Sequence, residues 1–220
     1  ARDLMSKIIE AQIETGQPYM LYKDSINEKS NQKNIGVIKS SNLCAEIVEY
    51  SEKDQTAVCN LASIALPKFV NKKNNTYDYK QLYEVAKLAT KNLDQVIDIN
   101  FYPTNKTEKS NNLHRPIGLG IQGLADVYFK LNIPFDSEKA IEINKKIFES
   151  IYYGAIESSV ELAKEKGFYS SYEGSPLSKG YFQFDLWDEK PSDLWDWDIL
   201  REKVKKYGVR NSLTTACMPT

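Results

Sequence analysis

The stretch Asn42-Leu43-Cys44-Ala45-Glu46, followed fifteen residues after Cys44 by Cys59-Asn60-Leu61-Ala62-Ser63, most constrains the fold and the chemistry of this chain. It places a cysteine sulfur two residues from a carboxylate. If the segment is extended, Cys44 and Glu46 project from the same side and direct a sulfur and a general base toward one substrate. On composition alone, two such cysteines are more often ordinary buried thiols, so both interpretations stay open at this point.

Composition narrows the classes of function. The 220 residues carry 29 Lys+Arg against 30 Asp+Glu, a formal net charge of -1. A near-neutral chain has no global attraction for nucleic acid or an anionic membrane, so we expect neither partner. We find no apolar run of about 18 residues and no signal peptide. Three cysteines do not suggest a disulfide framework, and we expect free thiols in the cytoplasm.

Apolar residues at helical spacing and their capping residues predict five helices. They run over Asp3 to Thr15, Tyr79 to Ile97, Leu124 to Leu131, Ser137 to Lys166, and from Ser192 as N-cap to near Gly208. Short β-type runs predict strands at Ile35 to Ile38, Ile47 to Tyr50, Ala57 to Leu61 and Val209 to Ala216. The mixture of short strands and long helices predicts an α/β fold.

Three further features have a structural and a functional interpretation. Gly118-Leu119-Gly120-Ile121-Gln122-Gly123 matches the dinucleotide fingerprint, but the preceding strand would be short and interrupted by Pro116, so tight backbone packing is preferred. His114 is the only histidine and the cysteines have no metal-ligand spacing, so we expect a structural histidine and no metal site in this chain. Trp195 and Trp197 are expected to pack rather than to bind a ligand.

Several ordered motifs together resemble the catalytic subunit of class I ribonucleotide reductase, in the style of eukaryotic and eukaryotic-virus large subunits. The resemblance covers essentially the whole chain. It is carried by Asn42 to Ile47, Val58 to Ser63, His114 to Gly118, Gln122 to Asp126, Arg210 to Leu213 and Met218 to Thr220, with Glu14 to Gly16, Pro18 to Met20 and Glu173 to Pro176.

The resemblance implies part of a ten-stranded α/β barrel whose finger loop carries a radical cysteine. It implies that Cys44 forms the thiyl radical and that Glu46 is the general base. Asn42 would bind the substrate hydroxyls, and Leu43 would also contact substrate. Cys59 would be one of two redox cysteines, with its partner outside this chain, and Thr220 would begin the loop that binds the substrate diphosphate. For Cys217 we expect a packing role.

The resemblance also implies what this segment lacks. We expect residues 1–220 to be the central part of the barrel domain, without the effector domain, the first barrel half and the C-terminal part. No cofactor is expected on the segment itself, since the radical would come from a metal-containing small subunit and ATP or deoxynucleotide effectors would bind elsewhere. The implied partners are that small subunit, the remaining large-subunit segments, thioredoxin or glutaredoxin, and a ribonucleoside diphosphate.

Three hypotheses follow. The first is a catalytic-core segment that reduces ribonucleoside diphosphates only with the complementary segments. The second is a non-catalytic interaction module or relic that keeps the motifs by descent. The third, a dinucleotide-binding oxidoreductase, rests only on the glycines at Gly118 to Gly123.

Overall fold

The computed structural model describes residues 1–218, which form eight α-helices and four short β-strands. The helices are α1 (Arg2–Thr15), α2 (Lys23–Lys29), α3 (Tyr79–Ile99), α4 (Asn105–His114), α5 (Leu124–Leu131), α6 (Glu138–Lys166), α7 (Gln183–Leu186) and α8 (Trp197–Tyr207). The strands are β1 (Leu61–Ala65), β2 (Val70–Asn71), β3 (Thr76–Tyr77) and β4 (Gly118–Gln122). Within residues 1–218, no helix is long and apolar enough to cross a membrane.

The long helices α3 and α6 pack against each other and carry the core. Leu82 and Ala86 of α3 are fully buried, as are Ile147 and Ile151 of α6. The two helices approach closely at Gly154, where a Cβ atom would lie 2.8 Å from the carbonyl oxygen of Tyr83. Glycine is therefore required at this crossing.

A small parallel sheet lies beside these helices. β1 pairs with β4 in parallel, from Leu61 opposite Gly118 to Ala65 opposite Gln122. On the other side of β4, Thr215 forms a parallel bridge with Leu119. β2 and β3 form a separate antiparallel pair. The described residues contain no closed barrel, and β4 is the strand with neighbours on both sides.

The helix predictions are confirmed in four of five cases. α1, α3, α5 and α6 follow their predicted ranges to within two residues. Ser137 caps α6 by accepting a hydrogen bond from the Ala140 amide, and α6 ends before Gly167 as expected. The fifth helix begins later than predicted, because Ser192 bonds to Glu149 and Asp196 is the N-cap of α8.

The strand predictions at Ile35 to Ile38 and Ile47 to Tyr50 are wrong. Both segments are irregular, because side-chain amides occupy backbone groups that a neighbouring strand would otherwise bond. Asn27 bonds both the amide and the carbonyl of Ile38, at 2.7 and 2.9 Å. Gln32 accepts a hydrogen bond from the Tyr50 amide at 2.8 Å.

The other two strand predictions are only partly right. The strand predicted at Ala57 to Leu61 begins at Leu61 and continues to Ala65. The segment predicted at Val209 to Ala216 contributes only the bridge at Thr215.

The glycine motif does not form a dinucleotide-binding turn. Gly118 and Gly120 lie within strand β4, whereas the fingerprint needs them in the turn between a strand and a helix. Their role is close packing: a Cβ at Gly120 would lie 2.4 Å from the Ala216 carbonyl oxygen, and one at Gly118 would lie 2.5 Å from the Leu61 side chain. The third hypothesis therefore loses its structural basis.

A buried ion pair joins the helices to the sheet. Arg115 is the left-handed C-cap of α4, with φ 45°. Its Nε donates to Asp94 Oδ1 at 2.9 Å, and its Nη1 donates to Asp98 at 2.7 Å. Asn211 donates to Asp94 Oδ1 at 3.1 Å and to the Arg115 carbonyl at 3.1 Å. One cluster thus fixes α3, the end of α4 and the chain before Thr215.

We predict that Arg115→Met lowers the free energy of unfolding by about 3–5 kcal/mol, because it leaves the fully buried Asp94 carboxylate without its partner. Urea denaturation of the full-length protein, followed by a probe in this domain, measures the change. Lys109→Met is the matched control, since it breaks the exposed pair with Asp54 and is expected to cost less than about 1 kcal/mol. Equal costs for the two variants would contradict the structural role of Arg115.

Candidate functional site

Residues 42–47 form a tight loop with Cys44 near its tip, which we call the Cys44 loop. The Asn42 amide donates to the Ile47 carbonyl at 3.2 Å, and the Asn42 side-chain oxygen accepts from the Ile47 amide at 3.0 Å. The Ala45 amide donates to the Asn42 carbonyl at 3.2 Å. Asn42 therefore closes the base of the loop from both its backbone and its side chain.

The Cys44 loop is not extended, contrary to the condition under which Cys44 and Glu46 would share one side. Ala45, between them, has φ 67°, which turns the chain in the left-handed region. Leu43 and Cys44 are exposed at the tip, Leu43 to 86%. Glu46 turns inward and is half-buried. The loop thus presents a thiol outward and a carboxylate at its foot.

The side chain of Asn42 already makes one hydrogen bond within the protein. Its Oδ1 is held by Ile47, whereas its Nδ2 donates to none of the residues that the structure describes. Toward a ligand, the Nδ2 group of Asn42 is therefore the unpartnered half of the amide, while its oxygen keeps one acceptor site.

A cleft of about 580 Å³ opens beside the foot of the Cys44 loop. Its walls come from α2, from residues 46–49, from α6 and from residues 212–216. Glu46 lines it, and the buried Glu46 Oε2 has no hydrogen-bond partner among residues 1–218. Asn42, Leu43, Cys44 and Cys59 do not line it, so Glu46 alone does among the predicted site residues that lie within 1–218.

Glu49 is a second carboxylate in the same wall, and the sequence analysis missed it. Its side chain is 9% exposed and faces the cleft. Burial raises its pKa to about 8, so the carboxyl group carries a proton at neutral pH. The sequence does hold one signal that could have identified Glu49, since it is the lone acidic residue within the otherwise apolar run Ile47-Val48-Glu49-Tyr50.

Cys59 lies immediately before β1 on a fixed backbone. Its neighbour Asn60 is buried and donates to Asn111 Oδ1 at 3.3 Å and to the Pro116 carbonyl at 3.2 Å. The Asn60 carbonyl accepts from the Gly118 amide at 2.8 Å. Cys59 is itself exposed in this segment. Partial desolvation still raises the pKa of its thiol to about 11, with a further contribution from the charges of Glu49 and Glu46. The structure therefore brings Cys59 within electrostatic reach of both carboxylates.

The other candidate residues either make hydrogen bonds and packing contacts within the protein or lie away from the Cys44 loop and the cleft. Both His114 ring nitrogens are hydrogen-bonded, to Ser171 at 2.6 Å and to Gln55 at 2.7 Å, in agreement with a structural histidine. Trp197 is buried in the core, as expected. Cys217 is exposed, which contradicts the packing role expected for it. Thr220 lies outside the described residues.

We predict that alkylation of Cys59 accelerates about tenfold for each pH unit between pH 7 and 10, without levelling. The reason is that only the thiolate reacts, and a thiol pKa of about 11 keeps its fraction small throughout this range. Iodoacetamide labelling with mass spectrometry of the Cys59 peptide measures the rate, with N-acetylcysteine amide in the same tube as reference. A plateau near pH 9 would show an unperturbed thiol and refute the prediction.

Comparison with known proteins confirms the resemblance seen in the sequence. The family described as "Ribonucleotide reductase, barrel domain" matches residues 1–220. The ribonucleoside-diphosphate reductase large chain of Neurospora crassa is 56% identical over 220 residues, which is 100% of this chain and 24% of that relative. The large chain of Schizosaccharomyces pombe is 54% identical over 220 residues, 100% of this chain and 27% of that relative. The Danio rerio large subunit is 56% identical over 220 residues, again 100% of this chain and 28% of the relative.

The chain spans about a quarter of the length of the curated relatives that it matches. A match to a family over every residue, together with identities above one half, leaves no competing assignment. The chain belongs to the ribonucleotide reductase family and corresponds to its barrel domain.

Proposed function

We propose that this segment supplies the central catalytic part of a large subunit that reduces ribonucleoside diphosphates to 2'-deoxyribonucleoside diphosphates. The observation that carries the proposal is the Cys44 loop. It holds an exposed thiol at its tip, a free amide donor on Asn42 and a half-buried Glu46 with an unbonded carboxylate oxygen at its foot. The large-subunit names of the relatives support the same activity.

In the proposed reaction, a metal-containing small subunit generates the radical, which is passed to Cys44 and converts its thiol to a thiyl. The thiyl removes the hydrogen atom from the 3' carbon of the ribose and becomes a thiol. Glu46 accepts the proton of the 3'-hydroxyl, for which its unbonded Oε2 is suited. Asn42 donates from Nδ2 to a ribose hydroxyl oxygen, since its Oδ1 is held by Ile47.

The reducing electrons are assigned to Cys59 and a partner cysteine outside this chain. The two thiols supply two electrons and two protons: the 2'-hydroxyl leaves as water, a hydrogen takes its place on the 2' carbon, and the sulfurs become a disulfide. Cys44 then returns its hydrogen atom to the 3' carbon and is again a thiyl. The hydrogen bonds of the neighbouring Asn60 support this role, because they fix the backbone from which the exposed Cys59 thiol projects. Leu43 at the tip of the Cys44 loop and Thr220 complete the substrate-binding residues that we propose.

The rest of the barrel is assigned to the remaining large-subunit segments. The outer edge of β1 has no strand beside it within residues 1–218, and an open edge of this kind needs covering. We propose that those segments complete a ten-stranded α/β barrel in which the Cys44 loop is the finger loop. Thioredoxin or glutaredoxin would restore the thiols, effector nucleotides would bind outside this segment, and the whole enzyme would work in the cytoplasm.

We predict that Cys44→Ser and Glu46→Gln each abolish nucleotide reduction by the full-length subunit while leaving its fold intact. The first removes the only group in the loop able to become a thiyl, and the second removes the base. Formation of deoxynucleoside diphosphate in the presence of the small subunit is the measurement. Cys217→Ser and Glu28→Gln serve as controls, since both side chains are exposed and neither has a proposed role. Normal turnover by either loop variant would overturn its assignment.

We predict that Cys59→Ser blocks multiple turnovers, because a serine hydroxyl forms no disulfide and delivers no electrons. Steady-state product formation with a dithiol reductant is compared with that of Cys217→Ser. An unchanged steady-state rate would show that Cys59 is not a redox thiol. Complete inactivity of the unmodified, properly assembled enzyme would instead favour the interaction-module hypothesis.

A further inference from the structure

Gln32 is a buried polar residue that joins two walls of the cleft and that the proposed reaction does not use. Its Oε1 accepts a hydrogen bond from the Tyr50 amide at 2.8 Å, and its Nε2 donates to Ser212 Oγ at 3.1 Å. Gln32 is 1% exposed and does not itself line the cleft. It therefore holds both walls from behind, away from any ligand in the cleft.

The first wall consists of residues 46–49, which begin with Glu46 and lead directly into Tyr50. Tyr50 is held by its side chain as well as by its amide. Its ring packs on Gly36, where a Cβ atom would lie 2.4 Å from the ring, and its hydroxyl donates to Glu52. Because Tyr50 is fixed at both ends, the first wall is anchored where it leaves the cleft.

The second wall consists of residues 212–216 and begins at Ser212, which is bonded at its backbone as well as at its side chain. The Ser212 amide donates to the His114 carbonyl at 3.1 Å, and the Ser212 carbonyl accepts from Asn31 Nδ2 at 2.7 Å. The chain continues from this wall to Thr220. The second wall is therefore anchored at the end where Gln32 bonds it.

The two walls lead to the two ends of the proposed substrate. Glu46 in the first wall would accept the proton of the 3'-hydroxyl, and Thr220 beyond the second wall would bind the diphosphate. One ribonucleoside diphosphate reaches both groups only if the walls keep a fixed separation. An error of about 1 Å in the placement of reacting groups can cost about a hundredfold in rate. A side chain that bonds both walls is placed to set that separation.

Resting on the proposed function, we propose that Gln32 is a positioning residue for nucleotide reduction. Its planar amide presents an acceptor and a donor on one rigid group. The acceptor holds the backbone of the wall that carries Glu46, and the donor holds Ser212 at the start of the wall that leads to the diphosphate site. Gln32 thereby keeps the ribose in register with Cys44 and Glu46 while the diphosphate is bound, and it exchanges no proton or electron with the substrate.

A neighbouring amide, Asn27, provides a matched control. Like Gln32, it uses one side-chain amide to hold the backbone of an irregular segment, since it bonds both the amide and the carbonyl of Ile38. Its other hydrogen bond goes to the Lys23 carbonyl of its own helix. Neither Asn27 nor Ile38 lines the cleft. Loss of the Asn27 amide therefore affects the fold locally and leaves the separation of the two walls unchanged.

The test compares Gln32→Met with Asn27→Leu in the full-length subunit together with its small subunit. Turnover is divided by the number of substrate-binding sites, counted by equilibrium titration with a ribonucleoside diphosphate, so that unfolded protein does not lower the measured rate. We expect Gln32→Met to lower kcat by about 10- to 100-fold, because the ribose is misplaced. We expect the dissociation constant of the substrate to change much less, because the diphosphate keeps its own contacts. Asn27→Leu is expected to leave both quantities nearly unchanged.

Substrate deuterated at the 3' carbon gives a readout that a folding defect does not move. Misplacement slows removal of the 3' hydrogen, so we expect a larger deuterium isotope effect on kcat in Gln32→Met than in the unmodified enzyme. Ser212→Ala removes only the bond to Gln32 Nε2 and is expected to lower kcat less, also with a raised isotope effect. In the Gln32→Met background it is expected to add nothing, since the shared bond is already lost.

Three outcomes overturn the inference. They are an unchanged rate per binding site in Gln32→Met, an equal loss in Asn27→Leu, and an isotope effect that does not change in Gln32→Met. If Gln32→Met does not fold, Ser212→Ala decides, because an unchanged rate and isotope effect in that variant also contradict the inference. Normal turnover by Glu46→Gln, or inactivity of the unmodified assembled enzyme, would instead overturn the proposed function.

Discussion

The ion pair between Arg115 and Asp94 is the interaction on which the arrangement of the site depends. Asp94 is fully buried, and the pair is held by a bond from Asn211 as well. A buried pair of this kind adds little net stability over a packed apolar core, but removing one partner is severe. Its value here is geometric: α3 fixes Asp94, and Arg115 is the residue at which α4 turns toward β4. The strand that supports both Cys59 and the Cys44 loop is thereby held in register.

A second constraint is that backbone groups around the site bond to side-chain amides, where in a sheet they would bond to a neighbouring strand. Asn27, Gln32 and Asn42 each satisfy backbone groups in a segment that sequence patterning predicts as a strand or places next to one. Bonds to side chains leave the backbone free to turn at Ala45, which a continuous ladder would prevent. These hydrogen bonds also bear on chemistry, because the Ile47 amide occupies one acceptor site of the Asn42 oxygen, whereas the Asn42 NH₂ group has no partner among residues 1–218. Local structure thus leaves the donor half of the amide freer toward a ligand.

Sequence patterning could predict the long helices because each carries its own periodic apolar face and its own cap, as α6 does with Ser137 and Gly167. It missed α4, since the face that this helix buries consists of Ser110, Asn111 and His114 and has no apolar period. It was wrong at two strands and only partly right at two others, because the pairing of β1 with β4 joins residues distant in sequence and side-chain amides bond the segments at Ile38 and Tyr50 instead. Cys44, Glu46 and Cys59 were found through family motifs rather than physical patterning. Glu49 was missed because burial, which makes it unusual, is a property of the folded chain.

The charged groups near the site affect the two proposed sulfur reactions differently. The hydrogen-atom transfer proposed for Cys44 moves no net charge, so the carboxylates that line the cleft neither favour nor oppose it. Disulfide chemistry at Cys59 creates a thiolate, and nearby carboxylates oppose that charge. The raised pKa of the Cys59 thiol has one benefit, because a thiol that resists ionisation also resists unwanted oxidation, which proceeds through the thiolate. The same raised pKa is a disadvantage when the disulfide is reduced, because a sulfur of high thiol pKa leaves slowly.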